Sequence, residues 1–275
     1  MPELPEVQTV VNTLAPAVIG QRIARAILAR PDILTPRDFP LESHLTGKRI
    51  RGVERRAKRI VFTLDDANRF YIHLGMSGRL VLSPGSDDLK PHTHLRIQLE
   101  HPAGTEIRFT DPRRFGGIWW LGQTDESDFI GPEPLTLRSA ELAKRLAATT
   151  RAIKNALLDQ RLIAGLGNIY VDESLFEAQI HPQTPADELT PAQVSRLNKA
   201  IKLTLKRALR HRGSTLRDYR DAAGNPGDFQ GLHRVYAQEG KPCKRCKKPI
   251  QRIVMGGRST HFCAKCQPRM TRGPG

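Results

Sequence analysis

Apolar and polar positions follow two different rhythms along the chain. Near the start, Val7, Val10, Val11 and Leu14 recur at helical spacing and predict one amphipathic helix over residues 5–19. From about residue 20 to 121 the period falls to two. Residues 69–74 and 94–99 alternate apolar and polar side chains, as half-buried strands do, and residues 60–64, 106–109 and 117–121 read as further strands. Gly75, Gly78, Gly85 and Gly104 punctuate them, so this part predicts a β-sandwich or barrel.

Gly131-Pro-Glu-Pro-Leu135 marks a domain boundary, and beyond it the helical period returns. Helices are predicted over residues 139–148 and 152–158. Thr190-Pro-Ala-Gln193 has the form of a capping box with proline at the first helical position. The helix it opens runs toward Arg210, with Val194, Leu197, Ile201, Leu205 and Leu209 along one side and Gly213 as a stop. Arg196, Lys199, Lys202, Lys206 and Arg207 read as its solvated face. Residues 218–230, rich in Gly, Asp and Asn, read as a mobile loop.

Charge narrows the class of partner. The 275 residues carry a formal net charge of +16, a field that attracts polyanions. Residues 241–275 contain ten Lys or Arg and no Asp or Glu, so they hold +10 of that total. No run of about 20 apolar residues exists, so no membrane span is expected. The start lacks the basic and apolar regions of a signal peptide, and the expected location is the cytoplasm.

The basic tail also encloses all four cysteines, Cys243, Cys246, Cys263 and Cys266, spaced C-x2-C-x16-C-x2-C. Two such knuckles place four thiolates tetrahedrally around Zn2+. Disulfides are the alternative, disfavoured in a reducing compartment. Four sulfur ligands leave no open position for water, which makes the expected zinc structural. So short a segment has little core of its own, and metal binding would supply its folding energy.

The candidate chemistry lies at the other end. Met1-Pro2-Glu3 opens the chain, and removal of Met1 would leave Pro2 with a free secondary amine. Free α-amino groups titrate near pH ~8, so a useful fraction is neutral and can attack a sugar carbon to form a Schiff base. Glu3 stands next to it as a proton-transfer group. In mid-chain, Ile163-Ala-Gly-Leu-Gly-Asn-Ile-Tyr170 allows a tight turn whose following helix start presents backbone N–H groups to a phosphate.

Eight segments occur together and in order: Met1-Pro-Glu-Leu-Pro-Glu6, Arg55-Arg-Ala-Lys58, His73-Leu-Gly-Met-Ser-Gly78, Asp111-Pro-Arg-Arg-Phe-Gly116, Gly131-Pro-Glu-Pro134, Gly165-Leu-Gly-Asn-Ile-Tyr170, Glu173-Ser-Leu-Phe176 and Gly257-Arg-Ser-Thr-His-Phe-Cys263. In this the chain resembles the bacterial formamidopyrimidine-DNA glycosylases over nearly its whole length. The resemblance implies an α+β chain. Its parts would be an N-terminal β-sandwich with an N-terminal helix (1–131), a helix–two-turns–helix domain (132–230) and a C-terminal β-hairpin zinc finger (231–275), with DNA held in the cleft between lobes. It also implies a monomer of the bacterial cytoplasm or nucleoid that excises 8-oxoguanine and formamidopyrimidines from double-stranded DNA and cleaves abasic sites by β,δ-elimination.

By the same resemblance Pro2 is the nucleophile, Glu3 the acid/base group, Lys58 the lysine at the lesion site, and Arg258 a binder of the lesion's phosphates that assists δ-elimination. Met76, Arg113 and Phe115 would fill the gap left by the flipped nucleotide. Asn168, His92 and Arg151 are DNA contacts, and residues 214–230 enclose the extruded base. By hydrophobicity alone Met76 and Phe115 would instead belong to the core. The chain departs from the family pattern at Arg59, at Arg79 after Gly78, and at Thr149 and Thr150, which puts the backbone contacts of Arg151 and Lys154 in doubt. Two alternatives stand beside this reading. One is an endonuclease VIII-like glycosylase for oxidised pyrimidines, against which Leu4 and the Met76/Arg113/Phe115 set argue. The other is a non-catalytic, zinc-dependent binder of damaged DNA.

Overall fold

The computed structural model describes residues 1–102, 104–124 and 130–269. Residues 270–275 of the expected zinc-finger segment lie outside them. The chain divides into two compact units: described residues up to 124 together with Leu209–Gln230, and residues 130–208 together with 231–269.

In the first unit, helix α1 (Leu4–Val18) is followed by β1 (Ile23–Leu28), β2 (Leu34–Thr35), a short α2 (Leu41–Leu45), β3 (Ile50–Arg56), β4 (Arg59–Leu64), β5 (Arg69–His73), β6 (Arg79–Pro84), β7 (Thr93–Leu99), β8 (Thr105–Thr110) and β9 (Gly117–Gly122). One sheet has the order β1-β7-β8-β6 and the other β2-β9-β5-β4-β3, antiparallel except for the β2–β9 pair. Alternate residues of both sheets, among them Ile23, Phe62, Phe70, Leu80, Ile97, Ile107 and Phe109, enter one core with Val7, Val10, Val11 and Leu14 of α1. The expected sandwich and its N-terminal helix are therefore both present. Burying one such aliphatic or aromatic side chain stabilises by about 1.5–3 kcal/mol, so the shared core locks α1 to the strands.

Residues 218–230 differ from the mobile loop expected of their composition. Leu82 N–H donates to the Ala222 carbonyl (2.8 Å) and Ala222 N–H to Thr13 Oγ1 (3.0 Å). The Tyr219 hydroxyl donates to the Glu6 carbonyl (3.2 Å), and Tyr219 and Ala222 are both part of the sandwich core. Burial of the ring and pairing of the backbone fasten the segment, while its glycines shape the turn.

The second unit contains α3 (Ser139–Ala147), α4 (Ile153–Leu158), α5 (Asn168–Ala178), α6 (Pro191–Arg210, whose last two residues belong to the first unit) and the antiparallel hairpin β10 (Gln251–Met255) and β11 (Arg258–Phe262). The expected capping box opens α6: Thr190 N–H donates to Gln193 Oε1 (2.8 Å) and Gln193 N–H to Thr190 Oγ1 (3.3 Å). The solvated face expected of α6 is in part engaged. Arg196 donates to the Ala178 carbonyl (2.6 Å), and Arg207 lies 3.8 Å from Glu177.

Candidate active site

The N-terminal pair is held by local helix-end chemistry. Glu3 is the N-cap of α1, and its side chain accepts the Glu6 N–H while its own N–H donates to Glu6 Oε2 (2.8 Å), a reciprocal capping box. Pro2 and Glu3 are buried, whereas Met1 is 53% exposed. The other oxygen of Glu6 accepts the Ser214 N–H (2.6 Å). A Cβ on Gly213, at φ +76°, would lie 2.5 Å from that oxygen, so only glycine permits this approach. Glu6 thus fastens the residues beside Glu3 to the segment that begins at Ser214.

Lys58 occupies the β3–β4 hairpin turn beside Ala57, whose φ is +55°, and it is buried. Arg55 ties this turn to α1 by donating from Nε to Gln8 Oε1 (2.9 Å). His73, paired with Arg59 across β4 and β5, receives the Gly75 N–H on Nδ1 (3.2 Å). Burial, and then the Lys58 and Arg59 charges, lower its pKa to about 4 against the opposing pull of Asp111. The unfolded chain takes up this proton near pH ~6.5, so stability is full above that value and falls as pH drops toward 4. Denaturant unfolding between pH 7 and pH 4 is expected to show a loss of at most about 3 kcal/mol from this group. His73→Asn should remove that share of the slope, and an equally steep profile in the variant would refute the assignment. His233, also lowered to about 4 by burial, adds a slope of the same sign that the variant retains.

The two loops expected to fill an emptied base stack are brought together. A Cβ on Gly75 would come within 2.3–2.7 Å of the Phe115 and Gly116 backbone, so the loop carrying Met76 runs directly against the 113–116 turn. Buried Asp111 shapes that turn. It accepts from Ser77 Oγ (2.6 Å) and from the Gly116 N–H (2.8 Å), and its own N–H donates to the His92 carbonyl (3.0 Å). The Arg113 guanidinium lies 4.7 Å from the centre of the Phe115 ring. Met76 is 44% and Phe115 56% exposed, so the core placement suggested by hydrophobicity alone is wrong for both. His92 is exposed at φ +65°. Asp111, Ser77, Glu6 and His73 were not singled out from sequence, although each lies inside a quoted motif; their partners are set by long-range packing.

In the second unit the glycine turn ends at Gly167, the N-cap of α5. Gln160 braces the turn, accepting the Gly165 N–H (2.9 Å) and donating to the Leu166 carbonyl (2.8 Å). Asn168 Nδ2 and Lys154 Nζ both donate to the Ser259 carbonyl at 2.9 Å. The buried Lys154 ammonium also pairs with Asp172 (2.6 Å), whose second oxygen accepts the His261 N–H (2.8 Å). These contacts clamp β11 onto α4 and α5, so Arg258, adjacent to Ser259, is presented beside Asn168. Lys154 is thereby a structural cation. Arg151 is exposed and pairs with Asp159 (3.0 Å). The buried Glu173 carboxylate accepts the N–H groups of Arg234, Val235 and Tyr236 (2.9–3.0 Å) and so anchors the entry to the finger.

The four cysteine sulfurs all lie within 4.8 Å of one another, with Cys246–Cys263 at 3.4 Å and Cys243–Cys266 at 3.9 Å. Tetrahedral Zn–S bonds of about 2.3 Å space sulfurs by roughly 3.8 Å, so the donor set fits.

Family models match in three consecutive pieces: the formamidopyrimidine-DNA glycosylase N-terminal domain over residues 1–118, its H2TH domain over 130–220, and the zinc finger found in FPG and IleRS over 240–269. The chain belongs to the formamidopyrimidine-DNA glycosylase family. The formamidopyrimidine-DNA glycosylase of Chloroflexus aggregans is 44% identical, covering 97% of this chain and 98% of its own, and that of Gluconobacter oxydans 43% identical, covering 97% and 100%. The fold agrees. A Lactococcus lactis FPG variant in complex with Fapy-dG containing DNA matches with TM-score 0.91 at 35% identity (98% of this chain, 100% of that one). MutM of Thermus thermophilus matches with TM-score 0.87 at 39% identity (98% and 100%). As a member of this glycosylase family the chain is a DNA repair enzyme with an associated abasic-site lyase activity, and its cysteines hold one structural zinc. Among the described residues no helix is long and apolar enough to cross a membrane.

Proposed function

We propose that the chain excises oxidised purines, 8-oxoguanine and formamidopyrimidines, from duplex DNA in the bacterial cytoplasm or nucleoid, with the Pro2 amine as nucleophile. The observation that carries this is the Glu3–Glu6 capping box, which holds the N-terminal pair in one buried arrangement tied to Ser214. The L. lactis protein bound to abasic-site DNA, 35% identical with TM-score 0.90, supports the substrate class.

In this reading the damaged nucleotide leaves the stack, and Met76, Arg113 and Phe115 take its place. The neutral Pro2 nitrogen forms a bond to C1′ as the glycosidic bond breaks and the base departs with its electron pair and a proton. Glu3 supplies a proton to the ring oxygen, and the sugar opens to an iminium. That cation acidifies the C2′ hydrogen, so the 3′ phosphate leaves by β-elimination and the 5′ phosphate by δ-elimination. Lys58 serves the lesion site, and Arg258 and Asn168 hold phosphates, with His92 and Arg151 as further backbone contacts. The zinc supplies no step and holds the hairpin that carries Arg258.

A lesion panel tests the substrate. Excision of 8-oxoguanine opposite cytosine should exceed that of thymine glycol by at least about tenfold, a difference of ~1.4 kcal/mol in the barrier. Preference for thymine glycol would select the oxidised-pyrimidine alternative, and binding without excision the non-catalytic one.

A further inference from the structure

A cavity of about 290 Å³ opens in the first unit, and of its lining only Arg220 and Gly224 fall in the 214–230 segment discussed above. Its walls are Arg79 and Val81 of β6, Thr110 of β8, Lys90 and Pro112 from the adjoining loops, and Arg220. Three of its lining residues are cations and none is a carboxylate. Arg79 pairs with Asp218 at 3.2 Å, leaving two positive charges without an acidic partner. One guanidinium nitrogen of Arg220 donates to the Tyr219 carbonyl (2.7 Å), which fixes that side chain to the anchored segment. Lys90 is exposed, and its ammonium makes no hydrogen bond or ion pair among the described residues.

What such a pocket takes is set by its neighbours. Pro91 in its wall precedes His92, and Pro112 precedes Arg113. Both are DNA contacts in the reading above, on which this inference rests. A duplex contacted by these two residues would lie beside the cavity. We propose that the Arg79–Lys90–Arg220 pocket holds a backbone phosphate of the bound duplex outside the damaged nucleotide. The pocket thereby contributes affinity and register, and no chemistry.

The test places single methylphosphonate linkages, which remove one backbone charge, along both strands of a duplex carrying a stable abasic-site analogue. Wild type should lose affinity at one position beyond the two phosphates flanking the lesion, and Lys90→Ala should be indifferent at that same position. The salt dependence of binding should be shallower by about 0.9 in log–log slope for the lost phosphate. The affinity gap between wild type and variant should therefore narrow about threefold from about 50 to 200 mM salt. Arg220→Ala should behave likewise, and thermal melting of each variant shows whether it is folded. Identical methylphosphonate profiles and slopes in folded variants overturn the proposal. So does a pocket whose substitution changes only the response to inorganic phosphate at constant ionic strength, which would mark a free-anion site. Borohydride trapping by the wild type reports separately on the lyase reading, so the two can fail independently.

Discussion

Protein carrying a non-removable N-terminal extension is expected to give no borohydride adduct with abasic DNA and to lose strand cleavage. An amide nitrogen has no available lone pair, so converting the Pro2 amine to a peptide bond removes the nucleophile without altering any side chain. The fold should survive. Met1 already occupies the position before Pro2 and is exposed, and the capping box is formed by Glu3 and Glu6. Binding to duplex carrying an abasic-site analogue should therefore persist within a few fold, while cleavage falls by several orders of magnitude. Adduct and cleavage are read on one denaturing gel with abasic DNA, and binding on a native gel with the analogue. Undiminished adduct from the extended protein would move the nucleophile elsewhere, to a lysine such as Lys58.

Cys243→Ala should release the zinc and unfold the hairpin. The sulfurs form much of the small core at this end of the chain, where Cys243 and Cys263 are buried with Phe176, Val235 and Ile250. Zinc binding supplies roughly 10–16 kcal/mol in isolated finger peptides at neutral pH, far more than so few apolar contacts can replace. Metal content should fall from one ion per chain to none, and β10–β11 should become open to limited proteolysis. DNA affinity should drop by at least about tenfold, since Arg258 loses its mounting and a segment of charge +10 loses its shape. The first unit should still melt cooperatively, because its core shares no residue with the finger. Retained zinc with unchanged affinity would refute this account.

The strand Thr93–Leu99 was legible because its apolar residues face the core and its polar ones mostly do not, whereas in Arg69–His73 the sequence alternates although Phe70, Tyr71 and Ile72 are all buried. Ile50–Arg56 and Arg79–Pro84 were less so. The first is charged at most outward positions, and the second lies at a sheet edge where few of its side chains are fully buried. The cysteine cluster was legible from spacing alone, because the metal fixes its geometry. The anchored 218–230 segment was not, since the groups that hold Tyr219 and Ala222, on Glu6 and Thr13, lie more than 200 residues away in sequence. The roles of Asp111 and Glu6 were hidden for the same reason: a carboxylate that braces a turn differs from a surface carboxylate only in what surrounds it. The exposure of Met76 and Phe115 ran against their hydrophobicity and was legible only through the resemblance to relatives.

In this mechanism the chain's own N-terminal amine becomes bonded to the sugar. Borohydride reduction of the enzyme on abasic DNA, followed by proteolysis and mass spectrometry, locates that bond. The account predicts a deoxyribose-derived mass on the N-terminal peptide, beginning at Pro2 with Met1 removed. An adduct on an internal lysine, or an active enzyme that still carries Met1, would contradict it.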